Sequence, residues 1–333
     1  MNKQVMSLAA LGLLSYLLSP SGARAAGQAA PARLLSPLAT IQDSLIAESS
    51  ALQRSRRRPG MFWTLNDSGD EARLFAIDSS GATLHPAWFE HYQGLRLPNA
   101  QNLDWEDLAQ DAEGNLLIGA FGNNSNARRD LGFYVLPEPN PLAVGEALVL
   151  KHVFFAWPDQ HDFPPAQLNF DCEAFFFARG ALHFLTKHRS DTKTRLYRLD
   201  EPPRAALPHQ PWHEAFRPDV VYPLTFLGEA DVAGLRPEMA GLVTAADATL
   251  DGSRLAILTY SGVFVVDNPA GGEAERTGNL LAGAWRWLPI EARQCEGLAL
   301  DGETLWITNE QREIFRLPVA DLAPRTPRQG SEY

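Results

Sequence analysis

The sequence predicts an all-β fold: a β-propeller of five four-stranded blades, six being the alternative, closed by an N-terminal strand that joins the last blade. Three observations lead there. A short phrase recurs five times, as Glu48-Ser49-Ser50-Ala51-Leu52, Asp104-Trp105-Glu106-Asp107-Leu108, Asp171-Cys172-Glu173-Ala174-Phe175, Leu242-Val243-Thr244-Ala245-Ala246 and Gln294-Cys295-Glu296-Gly297-Leu298. The third residues lie at spacings of 56, 67, 71 and 52, and self-similarity at such a period marks a repeat architecture. Each phrase opens a set of short runs rich in Phe, Val, Ile, Leu, Tyr and Trp, bounded by turn residues, and no long helical period interrupts them.

The elements follow in order. The first repeat offers strands at 50–53, 61–65, 72–77 and 84–91. The second gives 106–109, 115–121, 131–136 and 147–157. The third gives 173–177, 181–186, 195–199 and 220–226, and the fourth 245–250, 254–259, 262–266 and 285–290. Four radially arranged strands per repeat make a propeller blade. The last repeat supplies only 296–300, 304–308 and 313–317, so residues 32–41 are expected to complete it and leave no open edge. A sixth blade would have to come from the inserts at 137–170 or 200–240.

The ends lie outside this scheme. Lys3, an apolar stretch over 5–18 and Ala23-Arg24-Ala25 before Ala26 read as a secretory leader over 1–25. Residues 26–320 then form one propeller domain and 321–333 a flexible C-terminal tail, in a protein exported to the periplasm or the extracellular space and acting as a monomer. No segment is long and apolar enough for a membrane span. A net charge of −11 in 333 residues argues against nucleic-acid binding, which relies on Lys and Arg at phosphates. The basic cluster Arg54, Arg56, Arg57 and Arg58 reads as a solvated hairpin tip. Cys172 and Cys295 occupy equivalent places in two repeats, and buried thiols are preferred to a bridge between them.

Function is sought where acids converge. In a blade the start of the first strand and the end of the second share one face of the disc. Residues two apart point to one side of a strand, which gives two tiers around the axis. The outer tier is Glu48, Asp104, Asp171, Leu242 and Gln294; the inner tier is Ser50, Glu106, Glu173, Thr244 and Glu296. The second strands end at Asn66-Asp67, Phe121-Gly122, Lys187-His188, Tyr260-Ser261 and Asn309-Glu310. Carboxylates crowded on one axis raise one another's pKa unless a cation relieves them. An oxygen-only donor set suits Ca2+, and the scattered histidines give no zinc spacing. Two other readings stay open: the glutamates accept backbone N–H groups between blades, or Lys187 is the internal counter-ion that makes a metal unnecessary. Asn66-Asp67-Ser68-Gly69-Asp70 reads as a turn that also lends site oxygens, and Trp105 as a core residue between blades. Neither a nucleophile elbow nor a phosphate loop is present.

Several phrases resemble a family of exported bacterial proteins of mostly uncharacterised function: Asn66-Asp67-Ser68-Gly69-Asp70, Asp104 through Ala109, Gly122-Asn123-Asn124, Thr186-Lys187, Thr259-Tyr260 and Thr308-Asn309-Glu310. The phrase Glu296-Gly297-Leu298-Ala299 is similar to that of the SdiA-regulated proteins, the esterase-like and alkaline phytases and the regucalcin-like gluconolactonases. The likeness spans most of 40–318 and implies a propeller; those groups include calcium-dependent phosphoesterases and lactonases. Ser50 and Thr244 depart from an all-carboxylate ring, and no dense Arg and Lys cluster is present for a highly phosphorylated substrate. The leading expectation is a metal-dependent hydrolase of small esters, phosphoesters or lactones. Glu106, Glu173 and Glu296 would be Ca2+ ligands, aided by Asp67 or Glu310, Lys187 would stabilise developing negative charge, and Asp104 or Asp171 would serve as base. The rival is a non-enzymatic module binding a carbohydrate, peptide or envelope partner over Trp105, Phe121 and Tyr260. A closed, purely structural propeller is the third reading.

Overall fold

The computed structural model describes residues 31–202, 211–234 and 242–325; the expected leader lies outside them, as do residues 326–333 of the expected tail. Five small sheets, each built outward from a buried first strand, form a five-bladed β-propeller. Blade 1 orders Gln53–Arg54, Met61–Thr64, Arg73–Asp78 and Leu95–Arg96. Blade 2 orders Leu108–Gln110, Asn115–Ala120, Gly132–Pro137 and Lys151–Ala156. Blade 3 has Asp171–Ala178, Ala181–Lys187, Lys193–Leu199 and Thr225–Asp231. Blade 4 has Val243–Ala248, Arg254–Thr259, Gly262–Asp267 and Ala284–Glu291. Blade 5 has Cys295–Asp301, Thr304–Asn309 and Glu313–Pro318 and is completed by Ala39–Thr40, which pairs antiparallel with Ile314 and Glu313.

The chain's periphery is stitched more firmly than the sequence implied. Arg33–Leu34 pairs in parallel with Ile290 and Glu291, and Ala323–Arg325 pairs with Trp285 to Trp287 on the same outer strand of blade 4. Strand pairing is therefore present past 320, at Ala323–Arg325. Val221–Pro223 crosses to blade 2 and adds a parallel fifth strand, so blade 3 takes its outer strand from Thr225–Asp231 instead of 220–226. The outer strand of blade 1 is Leu95–Arg96, not 84–91. Pro86 accepts a turn bond from the Phe89 N–H at 3.0 Å, and a proline inside a run works against strand pairing. Among the described residues the inserts at 137–170 and 200–240 form no sixth blade.

The core lies between neighbouring blades rather than within one. Phe121 of blade 2 meets Phe175 of blade 3 edge-on at 5.0 Å, and Phe155 sits 4.5 Å from Phe184. Similar apolar layers fill the other junctions: Trp63 with Trp105, Phe176 with Phe264, Val263 with Leu298, and Phe62 with Ile314. Burying one such ring contributes about 1.5–3 kcal/mol, and every junction of the ring holds several. Cys172 and Cys295 are free and buried in separate junctions. The basic hairpin docks on blade 2 instead of standing in solvent. Arg56 donates to the carbonyls of Gln110 (2.7 Å) and Asp111 (2.8 Å), and Arg57 to that of Glu113 (3.1 Å).

Candidate functional site at the channel mouth

The inner tier is set by irregular backbone. In blades 3, 4 and 5 the register between the first two strands slips at Cys172/Ala174, Val243/Ala245 and Cys295/Gly297. The residue passed over is Glu173, Thr244 and Glu296 in turn. A bulge leaves its extra residue unpaired and re-aims the side chain. The simple two-residue alternation therefore fails in blades 3 to 5, and in blade 3 the outer Asp171 and inner Glu173 turn to different partners. Asp171 is fully buried and accepts the backbone N–H of Asn123 (3.0 Å) and of Cys172 (3.0 Å), with the Arg189 guanidinium at 2.6 Å. Glu173 instead forms an ion pair with Lys187.

A second register is also corrected. Asp171 faces Lys187, whereas Cys295, the counterpart of Cys172, faces Asn309. Lys187 is thus level with Glu310 and not with Asn309, one residue from the sequence alignment. The ring at the ends of the second strands reads Asp67, Gly122, Lys187, Tyr260 and Glu310.

This ring splits the mouth into two unlike halves. On the side of blades 1 and 2, Asp67, Asp104 and Glu106 bring carboxylate oxygens within 4.8 Å of one another. Turn bonds hold Asp67 in place: Asn66 Nδ2 donates to Asp70 at 2.6 Å, and the Ser68 N–H binds Asp67 itself. Gly122 makes room, because a β-carbon there would overlap Glu106 Oε1 and the Asp104 carboxylate. Arg128 stands 3.7 Å from Asp104 and donates to the Gly122 carbonyl at 2.6 Å, while Lys187 acts on Asp67. Burial pushes the Asp104 carboxyl up to about 6, with Asp67 adding to it and Arg128 opposing. Glu106 is raised well above its ordinary value, first by burial and then by Glu173 and Asp67. Asp67 is raised by burial as well.

On the side of blades 3 to 5 the charges are linked. Besides its pair with Glu173, Lys187 donates to the Tyr260 hydroxyl at 3.2 Å, and Tyr260 donates in turn to Glu296 at 2.8 Å. Lys187 is only 3% exposed. Burial raises Glu173 to about 8 against the pull of Lys187. Glu310 accepts from Gln294 Nε2 at 2.6 Å and rises to about 7 through burial and the nearby Glu296 and Glu48.

Below the mouth Asp107, within the expected strand 106–109, ties three blades together across the axis. Asp107 accepts the N–H of Leu108 (2.8 Å), of Phe175 in blade 3 (3.2 Å) and of Ala246 in blade 4 (3.5 Å). The fourth residues of the five phrases are Ala51, Asp107, Ala174, Ala245 and Gly297, so one acid stands in a ring of small residues. That contrast was the available signal. Asp247 likewise reaches the Leu300 N–H of blade 5 at 2.8 Å. The inter-blade bonding considered for the glutamates is thus made by these aspartates. Trp105 and Phe121 are fully buried, which removes them from any stacking surface at the mouth, and the Tyr260 hydroxyl is engaged by its two neighbours.

Fold and site together define a five-bladed β-propeller with an acidic, two-sided channel mouth. No protein-family model matches the chain, and no curated protein matches it. Solved structures similar to it include a nidogen/laminin complex, with 10% identity, TM-score 0.40 and coverage of 84% of this chain and 79% of that one. A functionally unknown protein from Desulfotomaculum acetoxidans DSM 771 has 10% identity and TM-score 0.37, covering 84% of this chain and 71% of that one. XC5397 from Xanthomonas campestris, described as a gluconolactonase, has 11% identity and TM-score 0.35, covering 90% and 89%. Among the described residues no helix is long and apolar enough to cross a membrane.

Proposed function

We propose that the mouth binds one divalent cation, Ca2+ being the best match, and that the protein is a metal-dependent hydrolase of small esters, phosphoesters or lactones. One observation carries the reading: three carboxylates from two blades approach within 4.8 Å, while the two cations that act on them are shared, Arg128 with the Gly122 carbonyl and Lys187 with Glu173. Such a set is costly without a cation and offers only hard oxygen donors, which suits Ca2+. Asp67, Asp104 and Glu106 are the primary ligands in this reading. Glu173, Glu296 and Glu310 hold Lys187, Tyr260 and Gln294 and complete the opposite wall.

A cation at this place supplies Lewis-acid polarisation and acidifies a bound water. The chain's own residues do the rest. Lys187, fixed by Glu173 and Tyr260, faces the mouth as a positioned charge for a developing oxyanion. Asp104, whose carboxyl stands at about 6 without an ion, gives up its proton when the cation binds and serves as a ligand. Asp171, spent on two backbone N–H groups and Arg189, positions the 122–124 loop. The leader-like N-terminus supports a periplasmic or extracellular setting, where weakly binding calcium modules operate.

The test is metal analysis of the purified protein, thermal melts with and without chelator, and a panel of esterase, phosphatase and lactonase substrates. Bound calcium, a chelator-dependent drop in Tm and a turnover lost in Glu106→Gln are expected. Absence of both metal and chelator effect sinks the reading.

A further inference from the structure

A second site lies where the chain leaves blade 2 for blade 3. Leu131 precedes the third strand of blade 2, Phe155 and Ala156 end its outer strand, and residues 157–163 begin the path onward. The Phe155 N–H donates to the Leu131 carbonyl at 2.9 Å, which pins the two strands together. Gln160 Nε2 donates to the Asn126 carbonyl at 2.8 Å and ties the departing segment to the 123–130 loop. These residues surround a pocket of about 150 Å³. An apolar cavity of ~150 Å³ holds a benzene ring, so one ring or one short branched chain fills such a space.

Its walls are apolar and its rim is basic. Leu131, Phe155 and Trp157 are buried, and Trp157 meets Phe155 and Tyr197 edge-on at 5.5 and 4.9 Å. Among the described residues two arginines line the pocket and no acid does, in a chain of net charge −11. Arg128 is spent on the Gly122 carbonyl at 2.6 Å and on Asp130 at 3.1 Å. Arg129 is exposed, and its guanidinium carbon lies 3.8 Å from the centre of the Phe163 ring. It makes neither a hydrogen bond nor an ion pair among the described residues. The ring engages one face of the guanidinium and leaves its N–H edge free. An arginine already held over a ring loses less side-chain freedom when a ligand arrives.

We propose that this pocket binds a small carboxylic acid with an apolar body, aromatic or branched-chain. The body lies among Leu131, Phe155, Trp157 and Phe163, and the carboxylate sits on the N–H edge of Arg129. A carboxylate is the anion that the planar guanidinium fork matches with two parallel bonds. A neutral hydrocarbon would use the walls and leave the arginine unpaired. A bare inorganic anion would use the arginine and leave the apolar space unfilled. Of the residues that act on the mouth carboxylates, Arg128 alone also lines the pocket, so the inference stands apart from the metal reading.

The experiment is calorimetric titration of the whole protein with benzoate and with isovalerate, benzyl alcohol and acetate serving as comparisons. Chelator is present throughout, so that no carboxylate binds through a cation at the mouth. At least one of the two acids is expected to bind saturably, about tenfold or more tighter than either benzyl alcohol or acetate, which lack the charge or the apolar body. Arg129→Met should weaken that binding by about tenfold or more, the loss of a charge-assisted pair. Its Tm should stay within a few degrees of the unaltered protein, because the side chain is exposed and makes no polar bond among the described residues. Ala156→Leu fills the pocket from its wall and should abolish binding with Arg129 intact; if that variant fails to fold, Arg129→Met decides alone. No binding of either acid, benzyl alcohol binding as tightly as benzoate, or affinity indifferent to Arg129→Met would overturn the proposal.

Discussion

Gly122 lies so close to Glu106 that a single methyl group on its α-carbon would occupy the place of the Glu106 carboxylate oxygen. The missing side chain is what allows an acid from the inner tier and one from the outer tier to face the same point. Gly122 is buried and its neighbours there are the ends of two acidic side chains, so the obstruction would fall on the site and not on the core.

Gly122→Ala should therefore weaken calcium binding by about tenfold or more, while Tm in chelator stays within a few degrees of the unaltered protein. Calorimetric titration and a melt in chelator read both. Unchanged affinity would place any bound cation elsewhere.

The mouth also sets a pH dependence. Asp104, Glu173 and Glu310 stand at about 6, 8 and 7 when folded, against ordinary values of 3.8 to 4.5. Between about pH 4 and 8 the folded state thus holds more protons than the unfolded one, and stability falls as pH rises through that window. In chelator, Tm should be higher at pH 5 than at pH 8. Calcium should narrow the difference, since the cation replaces the protons. A chelated protein more stable at pH 8 would contradict the assignment.

Lys187 and Glu173 form a pair with side chains only 4% and 8% exposed. Removing one partner of a buried pair costs about 3–5 kcal/mol, whereas removing both is often close to neutral. Lys187→Met should be strongly destabilising, and Lys187→Met with Glu173→Gln should recover much of the loss. Denaturant unfolding of the four proteins above about pH 8, where Glu173 is ionised, measures the coupling. Additive losses would mean that the two charges act independently.

Asp107→Ala should be destabilising by about 1–3 kcal/mol, because it strands buried N–H groups in blades 3 and 4. Asp107→Asn, which keeps one acceptor oxygen, should cost less. Chemical denaturation distinguishes them, and a stable alanine variant would remove Asp107 from the role of axial tie.

Recurrence, turn residues and apolar runs made the five blades readable in the sequence, because each blade repeats one local pattern. The closing strand was readable from a deficit, the last repeat having too few strands. The individual acids of the mouth were readable too, but their grouping was not. A bulge at Glu173, Thr244 and Glu296 breaks the two-residue alternation without a residue-type signature, and a one-residue register difference moves Lys187 level with Glu310. The run at 84–91 has the aromatic content of a strand, but Pro86 works against pairing there. Val221–Pro223 joining blade 2 is a tertiary choice that no local pattern announces.

The two distant stretches that share the outer strand of blade 4 have a mechanical meaning. Arg33–Leu34 holds Ile290 and Glu291, and Ala323–Arg325 holds Trp285 to Trp287, end to end along one edge. A load on either stretch falls first on these pairings, before it reaches the closing strand Ala39–Thr40. The seam of the propeller is thus anchored from outside by the neighbouring blade.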